Sequence, residues 1–555
     1  MLQATQPGWL MLLSSLAALP LVTLLATPAC GQDDDRAPGW LATQIDQLLE
    51  QSLEDAPRAP AAGDTEWLRR SFLDLAGRIP TTTETRQFIA DTHPDKRGRL
   101  VERLLSAPAF SQRMADAFHI LLMERRGEHT EWLSYLRTSF AANKPWDQMA
   151  REILDPNADA ETIRGAAFFQ TRRLEKVGQQ ETDYAGLTRD IGRLFLGCDL
   201  QCAQCHDHLS IDSYRQVDFQ GLYTVYQNTV IRTDVSYPAV AEKLLTKKTE
   251  FMSVFDKQPQ STGPRIPFGI EQPIPQFEKD QEYAVPPDRK TNFPGVPKFR
   301  GLQVIANDLT APGNQRFAEN AANRMWFLFF GTGLVNPLDQ LHDDNPPTHP
   351  QLLKLLADGL ISMKFDLREF TRELVLTHAW QRTTVGSAAE QRLYQYGREK
   401  RLSAEQLLIS MLTACGPAAP SSDTQTESSP ATVGFSESAE QKTIREAFVK
   451  AFGNVPQDPE LEFSPSLKAA LFVMNDPLVA QLLQPANGNL ADRLAKLEAP
   501  NELAEELYLS VLSRFPIESE QEFVRGHLQQ QPDRPAAVSN LIWSLLASTE
   551  FCLNH

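Results

Sequence analysis

Apolar residues recur every three or four positions along most of this chain of 555 residues, and this spacing disappears across residues 231–300. That stretch contains ten of the 38 prolines, and Glu250–Phe255 is its best strand candidate. Proline fixes φ and removes a backbone donor, so it interrupts helices. The pattern predicts a mainly α fold, in which helical domains at residues 39–230 and 301–555 are joined by a proline-rich extended or short-β connector.

Short motifs predict where individual helices begin and end. Thr81 and Glu84 have the spacing of a capping box, in which each side chain bonds the backbone N–H of the other residue. Ser403 and Gln406 repeat that spacing in the second helical domain. Gly331 follows a long apolar run and is placed to end that helix in the left-handed conformation.

The net charge of −17 argues against nucleic acid and anionic membrane surfaces as main partners. Phosphate backbones and anionic membrane surfaces attract basic patches, and no basic run is present. We therefore expect no nucleic-acid partner. Apart from the N-terminal segment, no stretch approaches the roughly 18 apolar residues that a membrane span needs.

The first residues differ from the rest of the chain. Trp9–Ala26 is almost wholly apolar, small residues follow it, and Asp33–Asp35 begins a polar stretch. This order is typical of a secretory signal peptide, predicted at residues 1–31, and implies a periplasmic or extracellular protein. Cys30 offers a lipoprotein acceptor as the alternative, although the residues before it fit that pattern poorly.

The densest group of reactive side chains is Cys198–His208, which holds three of the six cysteines and two of the ten histidines. Cys202, Cys205 and His206 form a C-x-x-C-H pattern, typical of covalent c-type haem attachment. Two thiols one turn apart can bond the haem vinyl groups, and the adjacent imidazole can bind the iron. The pattern predicts haem c, with His206 as proximal ligand and a Met or another His as distal ligand.

Three other interpretations of the cluster remain open. Cys202 and Cys205 could form a local disulfide in an oxidising compartment. Cys198, Cys202 and Cys205 could bind zinc together with His206 or His208, since all are donors that zinc accepts. A redox-active C-x-x-C is the third, although the βαβ context it usually has is not evident.

Three further histidines are considered as metal ligands, two in one loop and one on a helix. The loop His342–His349 contains two histidines and two carboxylates, and it could bind a metal; loops before helices also collect such residues for capping. His119 lies on the apolar face of a predicted helix. We interpret His119 as a core histidine rather than a ligand.

The second helical domain contains a segment of different composition. Pro417–Gln441 is rich in Ser, Thr, Pro and Ala and poor in large apolar residues, so residues 416–442 are predicted to be disordered. Cys415 and Cys552 lie in apolar surroundings and are interpreted as unpaired core thiols.

A weak internal repeat links the two ends of the chain. Phe72–Pro80 followed by Glu84 is similar to Tyr508–Pro516 followed by Glu520. The apolar residues that follow each segment also match. The repeat predicts two structurally related helix–turn–helix units, without the fixed period of a solenoid.

The motifs together resemble a planctomycete two-domain family of unknown function, with a cytochrome-C-like N-terminal domain and a planctomycete-specific C-terminal domain. The N-terminal resemblance is carried by Leu68–Pro80, Leu104–Phe110 and Phe195–His208, and the C-terminal one by Asn323–Val335, His349–Leu353, Arg401–Glu405, Leu507–Arg514 and Glu550–His555. These segments follow the family's order over roughly residues 40–555. One departure is Leu209-Ser210-Ile211 after His208, where the family usually has Pro-Phe-Asp.

The resemblance implies haem binding through Cys202, Cys205 and His206. The first hypothesis is therefore an electron-transfer protein with a redox or protein partner outside the cytoplasm. A binding or scaffold protein with a structural zinc site is the second. The third is a metal-dependent hydrolase using Asp207, His208 and the His342–His349 loop. No catalytic residue is predicted, and whether the protein is an enzyme stays open.

Overall fold

The computed structural model describes residues 39–53, 58–176, 178–384, 394–417, 439–457, 472, 475–486 and 488–555. The predicted signal peptide, with Cys30, lies outside these residues. The predicted disordered segment does so over residues 418–438, whereas its last residues belong to a helix that begins at Ala439. Within the described ranges, no helix is both long and apolar enough to cross a membrane.

The first part of the chain is helical, as its apolar spacing predicts. Its α-helices are α1 (Trp40–Leu53), α2 (Asp64–Ala76), α3 (Thr82–Ala90), α4 (Lys96–Ser106), α5 (Pro108–Met123), α6 (Thr130–Ala141), α7 (Trp146–Leu154), α8 (Phe168–Leu174), α9 (Tyr184–Leu196) and α10 (Gln216–Tyr226). Short 3₁₀ turns occur at Arg164–Ala167 and Cys202–Gln204.

Three short antiparallel hairpins form most of the regular structure of the connector. They pair β1 (Thr229–Ile231) with β2 (Val240–Glu242), β3 (Thr249–Met252) with β4 (Pro259–Thr262), and β5 (Tyr283–Val285) with β6 (Val296–Pro297). The predicted strand Glu250–Phe255 is thus confirmed over its first half, and its second half lies in the turn that joins β3 to β4.

Helices return after the connector. They are α11 (Gly301–Leu309), α12 (Gln315–Phe330), α13 (Pro350–Ser362), α14 (Leu367–Leu376), α15 (His378–Gln381), α16 (Ala404–Cys415), α17 (Ala439–Phe452), α18 (Pro477–Leu482), α19 (Leu490–Lys496), α20 (Pro500–Leu512), α21 (Glu518–Gln530), α22 (Arg534–Leu546) and α23 (Thr549–Cys552). Strand β7 (Lys400–Arg401) pairs with β8 (Leu553–Asn554).

The predicted caps are confirmed. The hydroxyl of Thr81 accepts the N–H of Glu84, and the Glu84 carboxylate accepts the N–H of Thr81 at 2.8 Å. Ser403 and Gln406 make the same reciprocal pair at the start of α16. Gly331 ends α12 with φ of 73°. These contacts are local, which explains why the sequence alone identifies them.

Residues from both sides of the connector share a hydrophobic core. Trp146 stacks on Phe195 of α9 at 6.0 Å between ring centroids and on Phe317 of α12 at 6.4 Å. Helix α1 contributes buried residues to the same core, and its first turn is held by a glutamate of α14. The Glu373 carboxylate accepts the N–H groups of Gly39, Leu41 and Ala42 at 2.7–2.9 Å. A buried negative charge stabilises this helix N-terminus.

A second hydrophobic core lies among the C-terminal helices. It consists mainly of residues from α16 to α23, and Leu73 and Ile79 of the first part are buried in it. Both cores therefore combine side chains from either side of the connector. Cys415 is buried, as predicted for a core thiol, and Cys552 is partly exposed.

The two repeated segments have the same turn geometry. Arg78 bonds both oxygens of Glu84 at 2.8 Å, and Arg514 bonds both oxygens of Glu520 at 2.8 Å. In each unit the same carboxylate also accepts the backbone N–H three residues before it, at 2.8 Å. Each arginine lies over an aromatic ring of the preceding helix, at 5.0 and 5.3 Å. The predicted structural relation between the units is confirmed.

Candidate functional site

The cysteine cluster begins where α9 ends. Gly197 is left-handed with φ of 65°, and a side chain there would meet the amide oxygen of Asn320 at 3.0 Å. The carbonyl of Gly197 accepts the N–H of Leu341 at 2.8 Å, and Asp199 donates its N–H to the Asp339 carbonyl at 3.0 Å. A glycine is required by both the backbone angle and the close approach. The segment after the connector therefore fixes the direction in which the cluster leaves α9.

Cys198 lies inside the core. Its side chain is 0% exposed, and its thiol donates to the carbonyl of Gly192 at 3.5 Å. Burial raises the pKa of Cys198 to about 12. Because the thiolate is the form that binds metals and reacts with electrophiles, Cys198 stays an inert thiol in this arrangement.

Cys202 and Cys205 lie on the surface, at the two ends of one 3₁₀ turn. The N–H of Cys205 bonds the carbonyl of Cys202 at 3.3 Å, and both thiols are exposed and free. Side chains three residues apart eclipse each other in a 3₁₀ turn, so the two thiols project from the same side. The structure thus separates this pair from Cys198.

His206 follows the turn and has one ring nitrogen engaged. Its Nδ1 is 2.6 Å from the carbonyl oxygen of Asp207, and its ring lies 4.6 Å from the ring of Phe255. A carbonyl oxygen can only accept, so Nδ1 carries the proton and Nε2 carries the lone pair. In metal sites, the ring nitrogen of histidine that does not bind the metal usually donates a hydrogen bond of this kind, and the bond orients the imidazole.

His208 has the opposite tautomer. Its Nδ1 accepts the backbone N–H groups of Ser210 at 3.2 Å and Ile211 at 2.9 Å. Because Nδ1 accepts, the proton is on Nε2 in the neutral ring. The N–H of His208 also bonds the carbonyl of Tyr214 at 2.8 Å. His208 therefore holds the turn that contains the departure from the family pattern.

Helix α10 supports the motif with polar side chains that sequence reasoning missed. The carbonyl of Gln204 accepts from the amide of Gln220 at 3.1 Å, and the side chain of Gln204 accepts from Arg189 at 2.9 Å. Asp207 accepts the N–H of Gln216, the first residue of α10, at 2.7 Å. The large apolar residues of α10 are mostly buried in the core. A glutamine every fourth position, Gln216 and Gln220, is the signal that could have identified this face.

Exposed apolar residues lie beside the motif. Val254 donates its N–H to the carbonyl of Cys205 at 3.2 Å, which places the turn after β3, in the second connector hairpin, against the C-x-x-C-H turn. Met252, Val254 and Phe255 are all more than half exposed, and Leu209 is 76% exposed. Large exposed apolar side chains that are grouped in this way mark binding surfaces.

Of the loop histidines, His342 lies near the cluster and His349 lies apart from it. The rings of His342 and His208 both contact Tyr214, at 5.5 and 6.1 Å between ring centroids, and His342 bonds the side-chain oxygen of Gln340 at 3.1 Å. His349 bonds the hydroxyl of Ser52 at 3.2 Å. His119 is buried and accepts the indole N–H of Trp132 at 3.0 Å, which confirms it as a core histidine. Among the residues with described positions, no three His, Cys, Asp or Glu side chains are grouped to hold a metal ion.

Fold and site together define a mainly helical protein with an exposed C-x-x-C-H turn. A family described as PSCyt2, protein of unknown function (DUF1549), matches residues 44–230. A second, described as PSD1, protein of unknown function (DUF1553), matches residues 303–528. The chain belongs to the two-domain family that these segments make up. No curated protein matches the chain, and no solved structure does.

Proposed function

We propose that this chain binds one covalent c-type haem through Cys202, Cys205 and His206, and that it transfers electrons outside the cytoplasm. The observation that carries the proposal is the state of His206. Its Nδ1 donates to the Asp207 carbonyl, so the lone pair of Nε2 is available, and no described group bonds it. When bound, haem supplies an iron that exchanges one electron.

The accessibility of the thiols supports this function. Thioether bonds form when both thiols reach the vinyl groups of an incoming haem. Cys202 and Cys205 are exposed at the two ends of one turn, and neither is consumed in a disulfide. His206 follows directly, so the three groups would hold one cofactor from one side.

The apolar residues around the turn support it independently. A porphyrin has two large apolar faces, and a protein that holds one needs apolar side chains to cover them. Leu209, Met252, Val254 and Phe255 are exposed next to Cys205 and His206. Their exposure would otherwise leave apolar area in water.

The zinc alternative lacks comparable support. It requires Cys198 to join Cys202 and Cys205, but Cys198 is buried and bonded to Gly192. If His208 were the fourth ligand, its Nε2 proton would have to leave or its Nδ1 would have to release two backbone N–H groups. A zinc site would therefore need the loop to rearrange.

The first prediction concerns covalent haem. The full chain is expressed with its own leader in a host that exports both protein and haem. We expect a Soret band that survives acid–acetone extraction. Cys202→Ser and Cys205→Ser should each leave at most one thioether bond and lower haem retention. His206→Ala should shift or abolish the low-spin spectrum, because the iron loses its proximal nitrogen.

Matched variants separate the two interpretations. Cys198→Ser and His208→Ala should leave haem content nearly unchanged, whereas a zinc site would lose affinity in Cys198→Ser about as much as in Cys202→Ser. N-terminal sequencing verifies export, with a mature start expected between Ala29 and Asp33. An exported, colourless wild-type protein with stoichiometric zinc would refute the proposal.

A further inference from the structure

A cavity between helices α2, α5 and α12 lies away from the cysteine cluster. Its volume is about 480 Å³, within the range of small-molecule sites. Helices α2, α5 and α12, strand β7 and the C-terminal strand β8 all contribute to its wall. No residue of Leu196–His208 lines it. The cavity therefore lies where the two parts of the chain meet.

One wall of the cavity carries a buried carboxylate whose bonds are complete. Asp74 accepts two bonds from the ammonium of Lys400 at 2.7 and 2.8 Å, one from the amide of Asn554 at 2.7 Å, and one from the indole of Trp380 at 3.1 Å. Asp74 and Lys400 thus balance each other's charge. Neither has to be satisfied by a ligand.

Arg113 of α5 is different. Only 7% of it is exposed, it lines the cavity, and its guanidinium donates no hydrogen bond to any residue that the structure describes. Its Nε is enclosed without a partner, and a donor that has lost water without gaining a bond is costly. Burial lowers the pKa of Arg113, with nearby carboxylates, Asp74 first, opposing the shift. An anion in the cavity would give the other nitrogens of the guanidinium a partner.

Asn554 completes the bonding of Asp74. Its amide N–H₂ donates to the carboxylate at 2.7 Å. Its Oδ1 has no partner and is enclosed by protein, so it is not open to a ligand. The cavity therefore offers a ligand the cationic side chain of Arg113.

The charge at the mouth of the cavity favours the same ligand. Arg398 and Arg401 are exposed there, and Glu399 is the one carboxylate beside them in the described lining. With Asp74 paired to Lys400, the remaining lining is positive, although the whole chain carries a net charge of −17. A local positive potential in an acidic protein attracts small anions.

We propose that this cavity binds a small carboxylate, which the guanidinium of Arg113 holds. The planar guanidinium matches a carboxylate with two parallel hydrogen bonds. The apolar part of the wall, which includes Phe327, Leu328 and Phe452, would cover the carbon skeleton. Because its walls come from both parts of the chain, the bound ligand would also stabilise their association.

The test is calorimetric titration of the full chain with L-lactate, L-tartrate and D-glucuronate, with D-glucose as the uncharged control and inorganic phosphate as the alternative anion. We expect at least one carboxylate to bind and to raise the melting temperature, and D-glucose to do neither. Binding of none of the three carboxylates would overturn the proposal. Phosphate binding as tight as the best carboxylate would overturn the carboxylate assignment.

Variants locate the site. Arg113→Met should weaken the best carboxylate at least about tenfold, and Arg113→Lys should recover only part of that loss, because an ammonium lacks the planar fork. Arg398→Met, at the exposed mouth, should weaken binding by a few fold without disturbing the core. Arg103→Met removes an equal charge from the exposed face of α4 and should leave binding unchanged. Equal effects of Arg103→Met and Arg113→Met would refute the location.

Discussion

Three histidines show how the same side chain acquires different chemistry from its partners. His206 donates through Nδ1 to a carbonyl and keeps a basic Nε2, whereas His208 accepts through Nδ1 and is protonated at Nε2. His119 is buried in the core, and burial lowers its pKa to about 4. Ring hydrogen bonds and burial, which depend on residues elsewhere in the fold, decide which histidine can bind a metal.

The second prediction concerns the pH dependence of stability. Between pH 6.5, the ordinary pKa of histidine, and the lowered pKa of about 4, the unfolded chain binds a proton at His119 that the folded chain does not. His119 therefore lowers stability as the pH falls through this window. From pH 7 to pH 5 its contribution should cost about 2 kcal/mol. His119→Gln should remove that part of the loss, measured by urea unfolding at both pH values.

A neighbouring carboxyl acts in the opposite direction, so the wild-type curve alone is not diagnostic. Burial raises the pKa of Asp116 to about 6, and its protonation favours the folded state over part of the same window. The difference between wild type and His119→Gln isolates the histidine. His93→Gln, at an exposed position, should follow the wild type. Parallel curves for wild type and His119→Gln would contradict the prediction.

At the scale of elements, the arginine–glutamate turn is used twice to set the angle between two helices. In both units the glutamate receives two bonds from an arginine and one from the backbone at the start of the next helix. One carboxylate thus caps a helix and fixes the preceding loop. The repeat in the sequence follows from this shared construction.

The third prediction is that Glu84→Gln and Glu520→Gln destabilise the protein to a similar extent. A neutral amide leaves each arginine with a weaker partner and should cost about 1–2 kcal/mol. Lys354→Met is the control, because its pair with Asp358 is exposed and water screens the attraction, so its loss should change stability very little. Thermal unfolding measures all three. An effect of either glutamate no larger than the control would contradict the shared role.

At the scale of the whole molecule, the connector separates two segments in sequence that are not separate in packing. Leu73 and Ile79 are buried in the core formed mainly by the C-terminal helices, and Glu373 holds the first turn of α1. The cavity that contains Arg113 is lined from both segments. Each segment alone would expose apolar surface that the other covers.

The fourth prediction follows from this packing. A protease site placed in the exposed stretch between Glu278 and Gln281 should allow complete cleavage, yet both fragments should elute together at the volume of the intact chain. The shared cores hold them through buried apolar contacts. Denaturing electrophoresis verifies the cleavage. Separation of the fragments in native buffer would show that the segments are independent.

The helical class, the caps at Thr81 and Ser403, the end of α12 at Gly331 and the relation between the repeated units were accessible from sequence, because each depends on contacts a few residues apart. The C-x-x-C-H motif was accessible for the same reason. The hydrogen bonds that Gln216 and Gln220 make to this motif were missed, because the apolar residues around them dominate the sequence pattern of α10.

Tertiary structure alone decided which cysteines are available. Cys198, Cys202 and Cys205 are close together in the sequence, but the loop at 338–341 holds the chain so that Cys198 enters the core and the other two stay in water. It also left the guanidinium of Arg113 unpartnered beside a cavity, because Lys400, Asn554 and Trp380 had already satisfied Asp74. Burial and long-range hydrogen bonds depend on residues hundreds of positions apart, and no local pattern encodes them.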